Sequence, residues 1–260
     1  MTQGLPAPVD PWQALRRRSA ARIGLGRVGA SMPTTELLRF GLAHAQARDA
    51  VHSRLDVAAL ASALEAEGFQ CLQVKSLAPD RESYLLRPDL GRRIDPDSRM
   101  LLEQAPRADI ALVIADGLSA QAAARHALPV ATLLREALGG WPAPVVLAQQ
   151  GRVALGDDIG AALGARLAIV MLGERPGLSS PDSLGIYLTW APRTGRMDSE
   201  RNCISNVRPE GLAYEAAAHK LHFLVRQSLL RQLSGVALKD ESVAVPRIAG
   251  PGQVDEPGLH

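Results

Sequence analysis

The apolar positions of the chain change their period near residue 105, and each regime predicts a different kind of element. Leu38, Leu42 and Ala45 fall at helical spacing downstream of Pro33-Thr34-Thr35-Glu36. This predicts a helix capped by Thr34 or Thr35 and running to about His52. A second helical pattern covers Val57 to Glu67 and stops at Gly68, after which Phe69 to Lys75 alternates like a short strand. Residues 89 to 97 are charged and turn-rich. From Ala108 to Ala115 the chain is an almost continuous apolar run ending in Asp116-Gly117, the profile of a strand buried on both faces.

That unit recurs. A helix is predicted from Ser119 to Ala127, a strand over Pro144 to Gln149, a short helix from Asp157 to Leu163 and another buried strand over Leu167 to Leu172. Alternating strands and helices with short links imply a parallel sheet covered on its faces. Leu184 to Trp190 alternates as a further strand, Glu200 to Gly211 reads as a loop, and Leu212 to Leu233 reads as a long helix ended by Gly235. The predicted fold class is α/β: a Rossmann-like, mainly parallel sheet flanked by helices, preceded by a smaller, mostly helical N-terminal domain. The expected divisions are an N-terminal arm over 1–30, the helical domain over 31–105, the α/β domain over 106–240 and a flexible tail over 241–260.

Composition narrows the function. Over 260 residues, 29 basic and 27 acidic side chains leave a formal charge of +2. That balance argues against general nucleic-acid binding, which needs an excess of cations. Aromatic residues make up 3% of the chain, so base-stacking platforms and aromatic cages are not expected. Cys71 and Cys203 lie far apart and no secretory signal pattern or long apolar span precedes them, so the chain reads as cytoplasmic, without a disulfide framework or a thiolate metal cage.

Several motifs bear chemistry. Gly24-Leu-Gly-Arg-Val-Gly29 has the glycine spacing of a dinucleotide fingerprint but follows no buried strand, which favours a flexible or partner-covering turn. His44, Arg48 and His52 repeat every four residues on one helix face; two histidines two turns apart are too distant to chelate one metal, so an interface face or a catalytic histidine are the open readings. Asp116 and Ser119 sit where a strand ends and a helix begins, as ligand-crevice residues or as helix caps. The densest polar loop is Gly173-Glu-Arg-Pro-Gly177 with the serines that follow it, at a strand's carboxyl end. Cys203 has Arg201 and Arg208 nearby but no histidine, which favours a packed or ligand-touching thiol over a nucleophile.

Seven segments occur in order: Arg22-Ile-Gly-Leu-Gly-Arg, Pro33-Thr-Thr-Glu-Leu-Leu, His44 to His52, Ala115-Asp-Gly-Leu-Ser119, Gly151-Arg-Val-Ala-Leu-Gly-Asp157, Gly173-Glu-Arg-Pro-Gly177 and Asn202-Cys-Ile-Ser-Asn206. Together, over about residues 20 to 240, they resemble the small (light) subunit of ethanolamine ammonia-lyase. The resemblance implies an adenosylcobalamin-dependent enzyme that converts ethanolamine to acetaldehyde and ammonia by a radical mechanism. It further implies a hetero-oligomer with several copies of each subunit, in which the large subunit holds the substrate while residues 106–240 act as a cobalamin-binding domain.

Carried over position by position, the resemblance implies cofactor contacts at Val153, Glu174 and Cys203, with Arg175, Asp116, Ser119 and Asn202 as further candidates from their positions. No residue of this chain is implied to be catalytic or to ligate the metal; the Asp-x-His-x-x-Gly signature of some other cobalamin proteins is absent, which implies that the cofactor keeps its own base on cobalt. Some relatives carry a longer N-terminal extension for packaging into bacterial microcompartments, and the Trp12-Gln-Ala-Leu-Arg stretch is the partner-binding candidate here. The alternative reading is a non-catalytic cobalamin-binding regulatory module.

Overall fold

The computed structural model describes residues 12–19 and 21–242; the proline-rich start and the tail from residue 243 lie outside the described residues. In chain order the elements are α1 (Gln13–Arg16), α2 (Thr34–His52), α3 (Val57–Ala66), β1 (Cys71–Lys75), α4 (Arg81–Leu86), α5 (Pro96–Gln104), β2 (Ile110–Ala115), α6 (Ala120–Leu138), β3 (Val145–Gln149), α7 (Leu155–Ala162), β4 (Leu167–Gly173), β5 (Leu184–Trp190), β6 (Arg201–Val207) and α8 (Tyr214–Arg231). The strands form one sheet in the order β1-β3-β2-β4-β5-β6.

The α/β class holds, but the sheet is mixed and departs from the Rossmann arrangement. β1, β3, β2 and β4 are parallel neighbours, whereas β5 runs antiparallel to both β4 and β6. Cys71–Lys75, expected among N-terminal helices, pairs in register with Val145–Gln149 and forms the sheet's first edge. The opposite edge, β6, lies in a segment expected to be a loop. Asn202, Ser205 and Asn206 hide its alternation, although Ile204 and Val207 point into the core.

Alternate residues of each strand feed two cores, as the period of two requires. Leu112, Ile114, Leu147, Ile169, Ile186 and Leu188 pack with α3, α6 and α8 on one face. Val113, Val146 and Val170 pack with Leu102 of α5 and with Leu155 and Ile159 of α7 on the other. On that second face α7 contacts β2 and β4, while α8 covers β5 and β6 from the first. Tyr187, Thr189, Arg201 and Cys203 therefore share the side of the sheet opposite α8, where Tyr187 packs against the second core and Arg201 meets α7.

Local boundaries differ from expectation for identifiable reasons. Pro33 occupies the cap position of α2 with no side-chain cap, so neither threonine plays that role. α6 runs through Pro129 to Leu138, beyond the expected Ala127, because Val130, Ala131 and Leu134 continue its buried face. α8 ends where Gln232 turns left-handed at φ 57°, and Gly235 instead opens a short turn against Ser199. Along the 19 residues of α2 only Ala50 is buried.

Two adjacent aspartates in the first turn of α7 join the layers. Asp157 receives Arg201 in a two-point contact, 2.7 Å at each oxygen, and Arg201 also reaches Thr189 and the Arg196 carbonyl. Asp158 accepts from Arg93 at 2.8 Å and from Thr194 at 2.6 Å. Asp157 and Arg201 are 2% and 8% exposed, so removing one strands the other charge without water. Asp157→Ala should therefore cost about 3–5 kcal/mol. Arg93→Gln, at a half-exposed partner, should cost under about 1 kcal/mol, and urea unfolding midpoints of the two variants check the contrast.

Candidate functional site

The carboxyl ends of β2, β3 and β4 converge, and backbone contact sets their spacing. A Cβ on Gly117 would stand 2.2 Å from the Gly173 carbonyl oxygen, and one on Gly173 would stand 1.9 Å from that of Ser119. Gly117 also has φ 56°, a conformation glycine adopts without strain. The Leu118 amide donates to the Gly173 carbonyl at 2.9 Å, so β4 turns outward at Glu174 from a fixed point.

Asp116 is buried and accepts the amides of Gln150 and Gly151, each at 3.0 Å. It thereby holds the loop that presents Arg152 and Val153. Arg81 of α4 reaches the Gly117 carbonyl at 2.8 Å and Asp116 at 3.4 Å. Burial pushes the Asp116 pKa upward, against the pull of Arg81 and the amides. Tyr84 donates to the Gly151 carbonyl at 3.0 Å, and the guanidinium groups of Arg81 and Arg152 lie over its ring at 4.8 and 4.2 Å. Asp116 is thus a clamp within the fold, beyond either a simple cap or an open ligand residue. Ser119 does cap α6, accepting from Ala122, and it donates to the Pro181 carbonyl at 3.0 Å.

Beyond α7 a groove of about 640 Å³ opens along these strand ends, lined by Arg152, Val153, Glu174, Arg175, Tyr187 and Arg201 among others. Val153 and Glu174 therefore share one wall-to-wall space, although 21 positions separate them in sequence. Glu174 Oε2 accepts from the Asn206 amide at 3.2 Å. Its stem needs Gly185 opposite, since a Cβ there would meet Glu174 Cγ at 3.1 Å and Tyr187 at 3.0 Å. The loop after Glu174 is tied down at its far end, where Arg125 reaches Asp182 at 2.8 Å.

Cys203 pairs with Tyr187 in the β5–β6 register, which sets the two side chains next to one another on the same face. Although Cys203 is exposed, desolvation raises its pKa, outweighing the Tyr187 hydroxyl, and the charge of Glu174 acts in the same upward direction. Cys71 is half-buried with its pKa pushed up to about 11 by burial and Glu65. Neither thiol has the depressed pKa of a nucleophile. Tyr187 and Arg152 were not singled out by sequence; the alternation Gly185-Tyr187-Thr189 opposite Leu184-Ile186-Leu188 is the signal that places Tyr187 on the groove side.

Asn202 faces elsewhere. Its amide donates to the Leu238 carbonyl at 2.7 Å and its oxygen accepts from Gly235, which fastens the chain after α8 to β6. Gly24, Gly26 and Gly29 all take positive φ in an irregular segment, as a turn and not a strand-to-helix nucleotide loop requires. His44, Arg48 and His52 line a second hollow of about 550 Å³, which shares Pro88, Leu118, Arg152 and Arg175 with the groove.

The groove combines an acceptor, Glu174, with guanidinium donors and an apolar flank at Val153. Arg152 Nε and Arg201 Nε are buried without hydrogen-bond partners. A ligand edged by amide groups, each carrying both a donor and an acceptor, suits that set. Among the described residues no helix is long and apolar enough to cross a membrane.

The family described as ethanolamine ammonia-lyase light chain (EutC) matches residues 9–239. A protein of Azotobacter vinelandii named ethanolamine ammonia-lyase small subunit is 55% identical over 260 residues, covering 97% of this chain and 96% of its own length. Proteins of the same name from Ralstonia nicotianae, 56% identical with 93% of each chain covered, and Pseudomonas putida, 55% identical with 93% and 92% covered, match similarly. On a match of this extent the chain belongs to the ethanolamine ammonia-lyase light-chain family.

Proposed function

We propose that this chain is the small subunit of an ethanolamine ammonia-lyase, and that its groove holds part of adenosylcobalamin against a large subunit that carries the substrate. The reaction converts ethanolamine to acetaldehyde and ammonia, with no change in the overall count of atoms or electrons. The observation that supports this reading best is the meeting of Val153 and Glu174 in one groove with Cys203 beside its Tyr187 wall.

When bound, the cofactor supplies the radical through homolysis of its cobalt–carbon bond. This chain's residues bind and orient. Glu174 accepts hydrogen bonds from peripheral amides, while Arg175 and the partnerless Nε of Arg152 donate to their carbonyls. Val153 covers an apolar edge, and Cys203 contributes a neutral, polarizable surface instead of a thiolate. The clamp at Asp116 holds the loop carrying Val153 through the Gln150 and Gly151 amides. A groove open to solvent on one side needs a second protein surface to exclude water, which is the role assigned to the large subunit.

Mixing the purified chain with its large-subunit partner, adenosylcobalamin and ethanolamine should give acetaldehyde, whereas either chain alone should give none. Activity from this chain alone, or silence from a correctly assembled complex, would remove the assignment. In the complex, Glu174→Gln should weaken cofactor affinity about tenfold, the loss of one charge-assisted hydrogen bond, with little change in unfolding midpoint; equal affinity by equilibrium dialysis would take Glu174 out of the site. The iodoacetamide rate at Cys203 of the isolated chain, followed by mass spectrometry against pH, should inflect above 9, the ordinary thiol value from which it is raised. An inflection below that value would restore the thiolate reading.

A further inference from the structure

The hollow beside the groove adds side chains of α2 that the cofactor contacts above leave unused. α2 contributes His44, Arg48 and His52 to it, and the opposite side contributes Arg152 and Arg175. No carboxylate lines it. Among the described residues the only acidic ion-pair partner of these five is Asp49, 3.6 Å from Arg48, and that pair is exposed on both sides. Among the described residues Arg175 makes no hydrogen bond or ion pair, and Arg152 spends Nη2 on the Tyr84 carbonyl while its buried Nε stays free. Three guanidinium groups and two imidazoles around about 550 Å³, with apolar walls at Val51 and Leu118, form a site for an anion attached to a larger organic body.

The hollow opens into the groove through Arg152, Arg175, Leu118 and Pro88, which line both spaces. A ligand occupying the groove can therefore extend one arm into the hollow without leaving the protein surface. Among the parts of a cobalamin, the corrin ring with its amides is neutral at its edge, and the phosphodiester of the nucleotide arm is the anion. We infer that His44, Arg48, His52, Arg152 and Arg175 form a phosphate subsite for the cofactor's nucleotide arm. This rests on the cofactor reading of the groove and adds to it which part of the ligand α2 recognises. The four-residue repeat on α2 then has a reason: positions i, i+4 and i+8 keep three cationic or titratable side chains on the helix face turned to the hollow.

Corrinoids that differ by one group isolate the phosphate. Cobinamide phosphate carries the ring and a phosphate but no base, and cobinamide lacks the phosphate. The assembled two-subunit complex, tested by equilibrium dialysis, should bind cobinamide phosphate about tenfold more tightly than cobinamide, and added salt should shrink that preference. Arg48→Gln with His52→Gln alters two exposed side chains of α2 that line the hollow and not the groove and carry no hydrogen bond within the fold, so assembly, checked by sedimentation, should persist. The pair of changes should erase the preference for the phosphate while leaving cobinamide affinity unchanged. Equal losses for both ligands, or a preference that survives the substitutions, would overturn the subsite and leave the groove reading intact. A wild-type complex that binds neither corrinoid nor adenosylcobalamin overturns the cofactor reading, and the subsite with it.

Discussion

The geometry of the groove depends on burying two neighbouring carboxylates at the start of α7. Placed side by side away from water, Asp157 and Asp158 repel one another, and each needs a cation or a set of donors to remain ionised. Burial and the neighbouring charge push the Asp157 pKa up while Arg201 pulls it down. The positive end of α7's backbone dipole favours both. The donors come from opposite directions: Arg201 and, through it, Thr189 lie on β6 and β5, whereas Arg93, Arg99 and the Ile94 amide come from the segment before β2. Satisfying the two charges therefore fixes both sides of the groove relative to the helix between them.

The second constraint is backbone crowding at the strand ends. Gly117 and Gly173 bring β2 and β4 so close that a methyl group at either would overlap a carbonyl. Leu118 and Glu174 leave this contact in different directions, one toward the apolar wall shared by the two hollows and the other into the groove. Asp116 then uses its carboxylate on the neighbouring loop at Gln150 and Gly151. A buried charge at this position organises the site from behind. The half-buried side chains it supports, Val153 and Arg152, line the groove.

Much of the fold was legible because the central strands are apolar on both faces, as β2 and β4 show. The edges were harder to read. β6 carries Asn202, Ser205 and Asn206 among its seven residues because one side of it meets solvent and its end binds the chain after α8, so its alternation is faint. The reversal of β5 left no local mark either: a strand of given pattern fits a sheet in both directions, and only the 174–183 connection, which lacks a helix, distinguishes a return from a crossover. At the site, Val153, Glu174 and Cys203 came from resemblance to a family. Tyr187 and the cationic hollow needed the fold, because their partners lie far away in sequence.

The scarcity of aromatic residues fits the same division of labour. A stacking site would commit large rings to one ligand plane, whereas this groove presents carboxylates, guanidinium groups, a small aliphatic side chain and the edges of Tyr84 and Tyr187, with the Cys203 thiol next to Tyr187 outside the lining. On the proposed reading, such a surface suits the amide-bearing rim of the cofactor and leaves its faces free. Chemistry at a face then requires a second protein surface to supply the reacting groups and exclude water. The near balance of charge over the whole chain hides a local imbalance, with guanidinium groups collected where the groove meets the hollow and carboxylates placed behind them as internal ties. Net charge reports on the molecule's solubility; the placement of Arg152, Arg175 and Arg48 reports on what it binds.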